Sequence, residues 1–226
     1  DNASIDIIIF RYCKNKNLEK KVLYNKDVVL YINNSNGMIT LSENQNLNLN
    51  LNLNLISDYF DVYVGLVSGR DNIYKNNKLG NIEVITAENK VNKYIYIKEY
   101  PCNNSEINEY LLKNKDELLN RKIRKFTNNN WFEWGAPRNI RVMEKYKNQE
   151  CIYMYNLTRN KNIAFKGKIT YFGGTLIMLK PKEQLKNDID LDKYVNYFNS
   201  VQFKMNFMYS GRFKIGHRQI CNSIIV

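Results

Sequence analysis

The chain has 226 residues, with 34 Lys or Arg against 22 Asp or Glu and a formal net charge of +12 at pH 7. Hydrophobic residues make up 44% and aromatics 13%, which supports a packed core and excludes a disordered basic tail. The charge balance points to an anionic partner, and the length suits one domain or two small ones.

Several classes drop out on inspection. No apolar run reaches membrane-spanning length and no charged-then-apolar leader opens the chain. The expectation is therefore no membrane partner, no signal peptide, and an intracellular location in the cytoplasm or nucleoid. Cys13, Cys102, Cys151 and Cys221 are scattered without a CxxC pair, and the one His cannot complete a zinc site with them. They read as reduced thiols, mostly buried. The chain opens on Asp1 without Met and reaches an apolar stretch by Ile5, which reads as a fragment of something longer.

In chain order, residues 5–12 form a β-branched run expected to be a buried strand. Residues 28–32 form a second strand, closed by the Asn-rich turn cluster 33–37. Residues 46–55 alternate Asn and Leu strictly. Period two is formally a strand pattern, but identical units of a poor strand former read as a linker or inserted repeat. Residues 60–67 are strand-like and run into the loop Ser68-Gly69-Arg70-Asp71-Asn72. Residues 82–85 and 94–97 are further strands. Asn104 or Ser105 can cap a helix burying Ile107, Tyr110, Leu111, Leu118 and Leu119. Glu117, four residues before Arg121, supports that helix on an exposed face, and it ends in the basic run 121–126. Gly135 and Pro137 mark residues 131–141 as a loop. Strands are expected at 151–155, 164–171 and 175–179, with Gly173-Gly174 as a tight turn or bulge between the last two. Asp190 caps a second helix carrying Leu191, Tyr194, Val195, Phe198, Val201 and Met205. A basic segment then leads into a terminal strand at 223–226. The expected fold class is α+β, mainly antiparallel strands with two or three helices.

Catalysis finds little support. His217 lies among basic residues with neither a nucleophile nor an orienting acid nearby. No glycine string ends in Gly-Lys-Ser/Thr, and FGGT (172–175) reads as a turn. Recognition finds three basic loops. The first presents Ser68, Arg70, Asp71 and, just beyond, Lys75 after a strand, in the manner of a reading loop or an ordinary hairpin turn. The second carries Trp131, Trp134, Arg138, Asn139 and Arg141. Its aromatics can stack on bases or support the arginines, and at least one Trp reads as core. The third, 209–219, carries Arg212, Lys214, His217, Arg218 and Gln219, and no Asp or Glu occurs after Asp192. Two glycines and alternating apolar residues argue against a loose tail there. Basic run 121–126 reads as phosphate contacts or a solvated helix end.

The ordered blocks DNASIDIIIFRY, DYFDVYVGLVSGRDNIYKN, NWFEWGAPRN, ITYFGGTLIMLKPK and FNSVQFKMNFMYSGRFKIGHRQICNSII resemble the C-terminal part of TaqI-like, Eco57I-related adenine-N6 DNA methyltransferases. The resemblance covers nearly the whole chain apart from the Asn/Leu repeat. It implies that residues 1–45 end a catalytic domain, 46–56 are a linker or insertion, and 57–226 are a target recognition domain. It also implies that double-stranded DNA and an N-terminal catalytic domain are the partners, and that the enzyme is a monomer. The NPPY-type motif and the glycine-rich cofactor turn of such enzymes are absent from these residues. S-adenosylmethionine is accordingly expected in the full-length enzyme and no cofactor in this chain, which alone is expected to be inactive. The alternative is a stand-alone DNA-binding or specificity module.

Overall fold

The structure, a computed structural model, describes residues 21–24, 28–35, 38–42, 54–209 and 211–225. The expected strand at 5–12 and all of the Asn/Leu repeat before Asn54 lie outside the described residues. β1 (Lys21–Tyr24), β2 (Val28–Ser35) and β3 (Met38–Ser42) form an antiparallel meander. β2 continues through Asn33–Asn34–Ser35, read from sequence as turn, because those residues pair with Thr40, Ile39 and Met38.

The remainder is built on one antiparallel sheet. In chain order come α1 (Ile56–Tyr59), β4 (Phe60–Val64), α2 (Asp71–Tyr74), β5 (Ile82–Ala87), β6 (Lys90–Tyr94), α3 (Ser105–Lys113), α4 (Lys115–Leu119) and α5 (Ile140–Lys145). There follow β7 (Glu150–Tyr155), β8 (Leu157–Thr158), β9 (Ala164–Lys168), β10 (Leu176–Pro181), α6 (Leu191–Asn199), α7 (Val201–Met205), β11 (Met208–Tyr209), β12 (Arg212–Lys214) and α8 (His217–Cys221). The central sheet has the order β4-β10-β7-β9, all antiparallel. The fold is mixed α+β, mainly antiparallel, with α3 and α6 the two longer helices at nine residues each.

Both faces of this sheet are covered. Alternate residues point to opposite sides, so Cys151, Tyr153, Leu176 and Met178 enter one core with Ile107, Leu111, Trp131 and Trp134. Ile152, Met154, Ile177 and Leu179 enter a second with Ile56, Phe198, Phe203 and Ile220. That is why 151–155 and 176–179 are continuously apolar and show no alternation.

Several expectations are corrected. The long helix breaks at Asn114 (φ −103°, ψ 10°), which caps α3 and opens α4. The helical run stops at Leu119, so Arg121 is not a helix-face residue. The strand expected at 60–67 ends at Val64; Gly65 packs so closely on Gly173 that any Cβ would run into its carbonyl oxygen, and the Leu66 N–H turns to the Phe172 carbonyl (2.8 Å). β9 and β10 are not a hairpin, since β7 lies between them, and the glycines join a crossover. The strand placed at 94–97 is β6 instead, pairing its polar residues with β5 in a two-stranded hairpin. The second helix also breaks, at Ser200, whose side chain accepts from the Phe203 N–H (3.2 Å) and starts α7. Val201 is consequently 71% exposed. The basic terminal segment contains α8, and the expected final strand is a single bridge between Leu55 and Ile224. No helix among the described residues is long and apolar enough to cross a membrane.

Candidate nucleic-acid interface

Strand β4 organises the candidate residues. The Tyr59 carbonyl accepts from the Lys182 N–H beyond β10 (2.9 Å), so odd-numbered residues turn their backbone groups toward β10. Even-numbered ones turn them to the open edge. Two side chains close that edge. His217 Nε2 lies 3.0 Å from the Val62 carbonyl oxygen, and Asn139 Nδ2 donates to the Val64 oxygen (2.9 Å). A carbonyl only accepts, so Nε2 carries the proton. The two carbonyls are one dipeptide repeat apart, about 7 Å. The second and third basic segments are thereby fastened side by side on one strand, and unpaired edge groups find partners. Asn139 adopts the left-handed region (φ +58°), which Asn tolerates well.

The first basic loop leaves the end of the same strand. It is stitched to the second by reciprocal Val67–Ala136 hydrogen bonds (3.0 and 2.9 Å) and by Gly135 N–H to the Ser68 oxygen (2.9 Å). Arg121 locks the assembly from inside. Its guanidinium donates to the carbonyls of Leu118 (2.7 Å), Ser68 (3.1 Å) and Trp131 (2.5 Å) and stacks on Phe126, 3.7 Å to the centroid. Only 7% of Arg121 is exposed. Burial pulls its pKa below the usual arginine value, but three carbonyl acceptors suit the charged form. The run 121–126 is thus neither a phosphate contact at Arg121 nor merely a solvated helix end. Arg124 also turns inward, pairing with Glu133 (2.7 Å) and donating to the Trp134 carbonyl (3.0 Å). Lys122 and Lys125 remain exposed.

Each candidate can now be placed. Arg70, Lys75, Arg138, Arg141, Lys214, His217 and Arg218 are exposed, while Arg212 and Gln219 are half-buried. Arg70 is held by Glu117 (2.7 Å), which also accepts from Asn72 Nδ2 (3.1 Å). The helix pair expected between Glu117 and Arg121 is replaced by these contacts to the first loop. Ser68 is buried, and its hydroxyl donates to Asp71. Gln219 Oε1 accepts the Gly216 N–H (2.8 Å) and fixes the start of α8. Both tryptophans are 2% exposed. Trp134 sits among Tyr74, Tyr94 and Tyr96 with its Nε1 donating to the Ile95 carbonyl (2.8 Å), and Trp131 packs on Tyr100. Their rings are closed to an outside base, which leaves support of the loop as their use.

The third segment connects to the first through Asn156. Ile215 N–H donates to the Asn156 carbonyl (2.9 Å), Asn156 Nδ2 to the Gly174 carbonyl (2.6 Å), and Gly174 N–H to the Leu66 carbonyl (2.8 Å). Phe213 and Ile215 are buried, anchoring the segment. Between the Gly173–Gly174 turn and the first loop opens a cavity of about 250 Å³, lined by Ser68, Asp71, Thr86, Tyr94, Trp134 and Thr175 among others.

Lys180 is not singled out in the sequence, Arg121 and Glu117 are read there only as a helix pair, and Asn139 is read as a reading-loop residue and not as the anchor of that loop. Lys180 is 1% exposed, paired with Asp61 across the β4–β10 register (3.1 Å) and with Glu183 (3.4 Å). Burial opposes its charge, but the two carboxylates outweigh that and hold its pKa above the ordinary lysine value. The signal was faint: Lys180 interrupts an apolar run where a strand needs a partner. Of the described thiols, only Cys151 is buried, while Cys102 and Cys221 are half-buried. Among the described residues no group of His, Cys, Asp or Glu could hold a metal ion.

No family model matches the chain. Among curated proteins, it is similar to the type II methyltransferase M.MjaIV of Methanocaldococcus jannaschii, 28% identical over 188 residues. The similarity is distant. The match takes in 70% of this chain and 60% of that protein, so the chain spans about three-fifths of the relative's length.

Proposed function

We propose that residues 57–226 select the DNA site for an adenine-N6 DNA methyltransferase of a restriction-modification system. Residues 1–45 close its catalytic domain, and 46–56 link the two. The observation that carries this reading is the fastening of the second and third basic segments to adjacent carbonyls of β4, with the first continuing from that strand. Arg70, Lys75, Arg138, Arg141, Lys214 and Arg218 then form one rigidly based cationic surface, suited to a duplex. The distant similarity to a type II methyltransferase supports the same context.

In this reading Lys and Arg hold phosphates, a few side chains read base edges, and the catalytic part receives a flipped adenine. S-adenosylmethionine supplies the methyl group in such enzymes, and the Gly173–Gly174 turn does not fit it. Gly174 N–H is bonded to Leu66, and a Cβ there would lie 2.9 Å from the Val67 side chain. In this reading the cofactor is held by the catalytic part.

The test is a salt titration of duplex binding by the full chain. Arg138→Ala, Arg141→Ala and Arg218→Ala should each lower affinity, and those that touch phosphate should each reduce the salt slope by about 1. Unchanged binding by the triple variant contradicts the surface assignment. Sequence-independent binding throughout favours a plain DNA-binding module.

A further inference from the structure

Resting on that DNA-reading proposal, one residue of the cationic surface stands out by its sign. Asp71 opens α2, is exposed, and lines the cavity beside the first loop. No Lys or Arg among the described residues pairs with it. Its carboxylate is nevertheless oriented from two sides. The Ser68 hydroxyl donates to Oδ1, and the Tyr94 hydroxyl donates to Oδ2 (3.2 Å). Ser68 is fixed in turn, because its oxygen accepts the Arg70 N–H (3.2 Å). Burial, then the adjacent carboxylate, raises the Tyr94 pKa far above the ordinary phenol range, so that hydroxyl stays a donor.

A carboxylate facing a polyanion weakens non-specific attraction, and general phosphate binding gives no reason to hold one in place. An ionised carboxylate only accepts hydrogen bonds, and two protein donors leave further lone-pair positions open. The groove edges differ in what they offer it. Cytosine presents the N4 amine, whereas guanine presents O6 and N7 and thymine O4, all acceptors. Adenine presents N6 beside the acceptor N7, which opposes a carboxylate.

We propose that Asp71 is a specificity-determining residue that reads the exocyclic amine of one cytosine in the major groove, with Ser68 and Tyr94 as its positioning residues. Thr86 and Thr175 line the same cavity, and Thr175 Oγ1 donates to the Thr86 carbonyl (2.8 Å).

The experiment selects retained duplexes from a random pool with the full chain, its Asp71→Asn and Asp71→Ala variants, and Tyr94→Phe. The wild-type motif should contain one position that demands cytosine. Both Asp71 variants should lose roughly 5- to 150-fold discrimination at that position alone, with affinity for unrelated duplexes unchanged or higher. Tyr94→Phe should relax the same position less, and serves if the Asp71 variants fold poorly, as judged by thermal melting. A folded Asp71→Ala chain that keeps every position of the motif overturns the assignment while leaving the DNA-reading proposal intact. A wild-type chain that enriches no motif overturns both.

Discussion

Arg121 carries more of the candidate surface than any exposed arginine, yet it touches nothing outside the protein. Its three carbonyl acceptors come from the end of α4, the first loop and the second loop. Replacing it with Met leaves the Leu118 and Trp131 oxygens without that donor and the Ser68 oxygen with the Gly135 N–H alone; at about 1–3 kcal/mol for each orphaned oxygen, it should destabilise the chain by about 2 kcal/mol or more in urea unfolding. Lys cannot reproduce the forked geometry and should recover little. A loss below 1 kcal/mol contradicts this role. The sequence could not single it out: in RKIRKF every cation looks alike, and the Ser68 acceptor lies 53 positions away. Glu117 gives the opposite case. It restrains Arg70 and Asn72, so Glu117→Gln should raise duplex affinity several-fold at low salt, where charge acts furthest. Lowered affinity shows instead that the restraint presents Arg70 in its binding position.

At the scale of elements, β4 and β10 hold both the sheet edge and its buried ion pair. Asp61→Asn removes one carboxylate from Lys180. Because Asp61 is 40% exposed, the cost should be about 1–2 kcal/mol, below that of a fully buried pair. The pKa of Lys180 is raised on folding, so this contribution is complete below the unfolded lysine value near 10.4 and lost as pH rises through the folded one. The stability difference should be constant from pH 6 to 9 and shrink above pH 10, read by denaturant midpoints in a pH series. β7 supplies a second check. Burial pushes the Cys151 thiol up to about 12, so at pH 8 it should resist iodoacetamide until the protein unfolds, while the half-buried Cys102 reacts before it. Prompt labelling of Cys151 in the folded chain contradicts the two-faced burial of the sheet. Most core strands were legible as apolar runs, and Asp190 was legible as a cap. Helix breaks at Asn114 and Ser200 were not, since both residues can continue a helix or cap one. The place of β7 between β9 and β10 is a non-local pairing that no local pattern encodes.

For the whole molecule, the excess of cations is legible as the expectation of an anionic partner, but not which basic segments the fold fastens together. That depends on carbonyls 62 and 64 of one edge strand receiving side chains from positions 217 and 139. The aromatic content was legible too, and so was a core place for at least one Trp, but not that both are buried. Trp131 and Trp134 sit in a basic loop that looks made for stacking, and they are core because Tyr74, Tyr94, Tyr96 and Tyr100 enclose them. The central claim is that this chain chooses a DNA sequence, beyond adhering to DNA. The direct measurement is retention of a random duplex pool on the full chain at two salt concentrations, followed by sequencing of what is kept. Enrichment of one short motif that survives the higher salt is the predicted result, because base-edge contacts persist when counterion-driven attraction weakens. Retention that vanishes with salt and leaves no motif contradicts the claim.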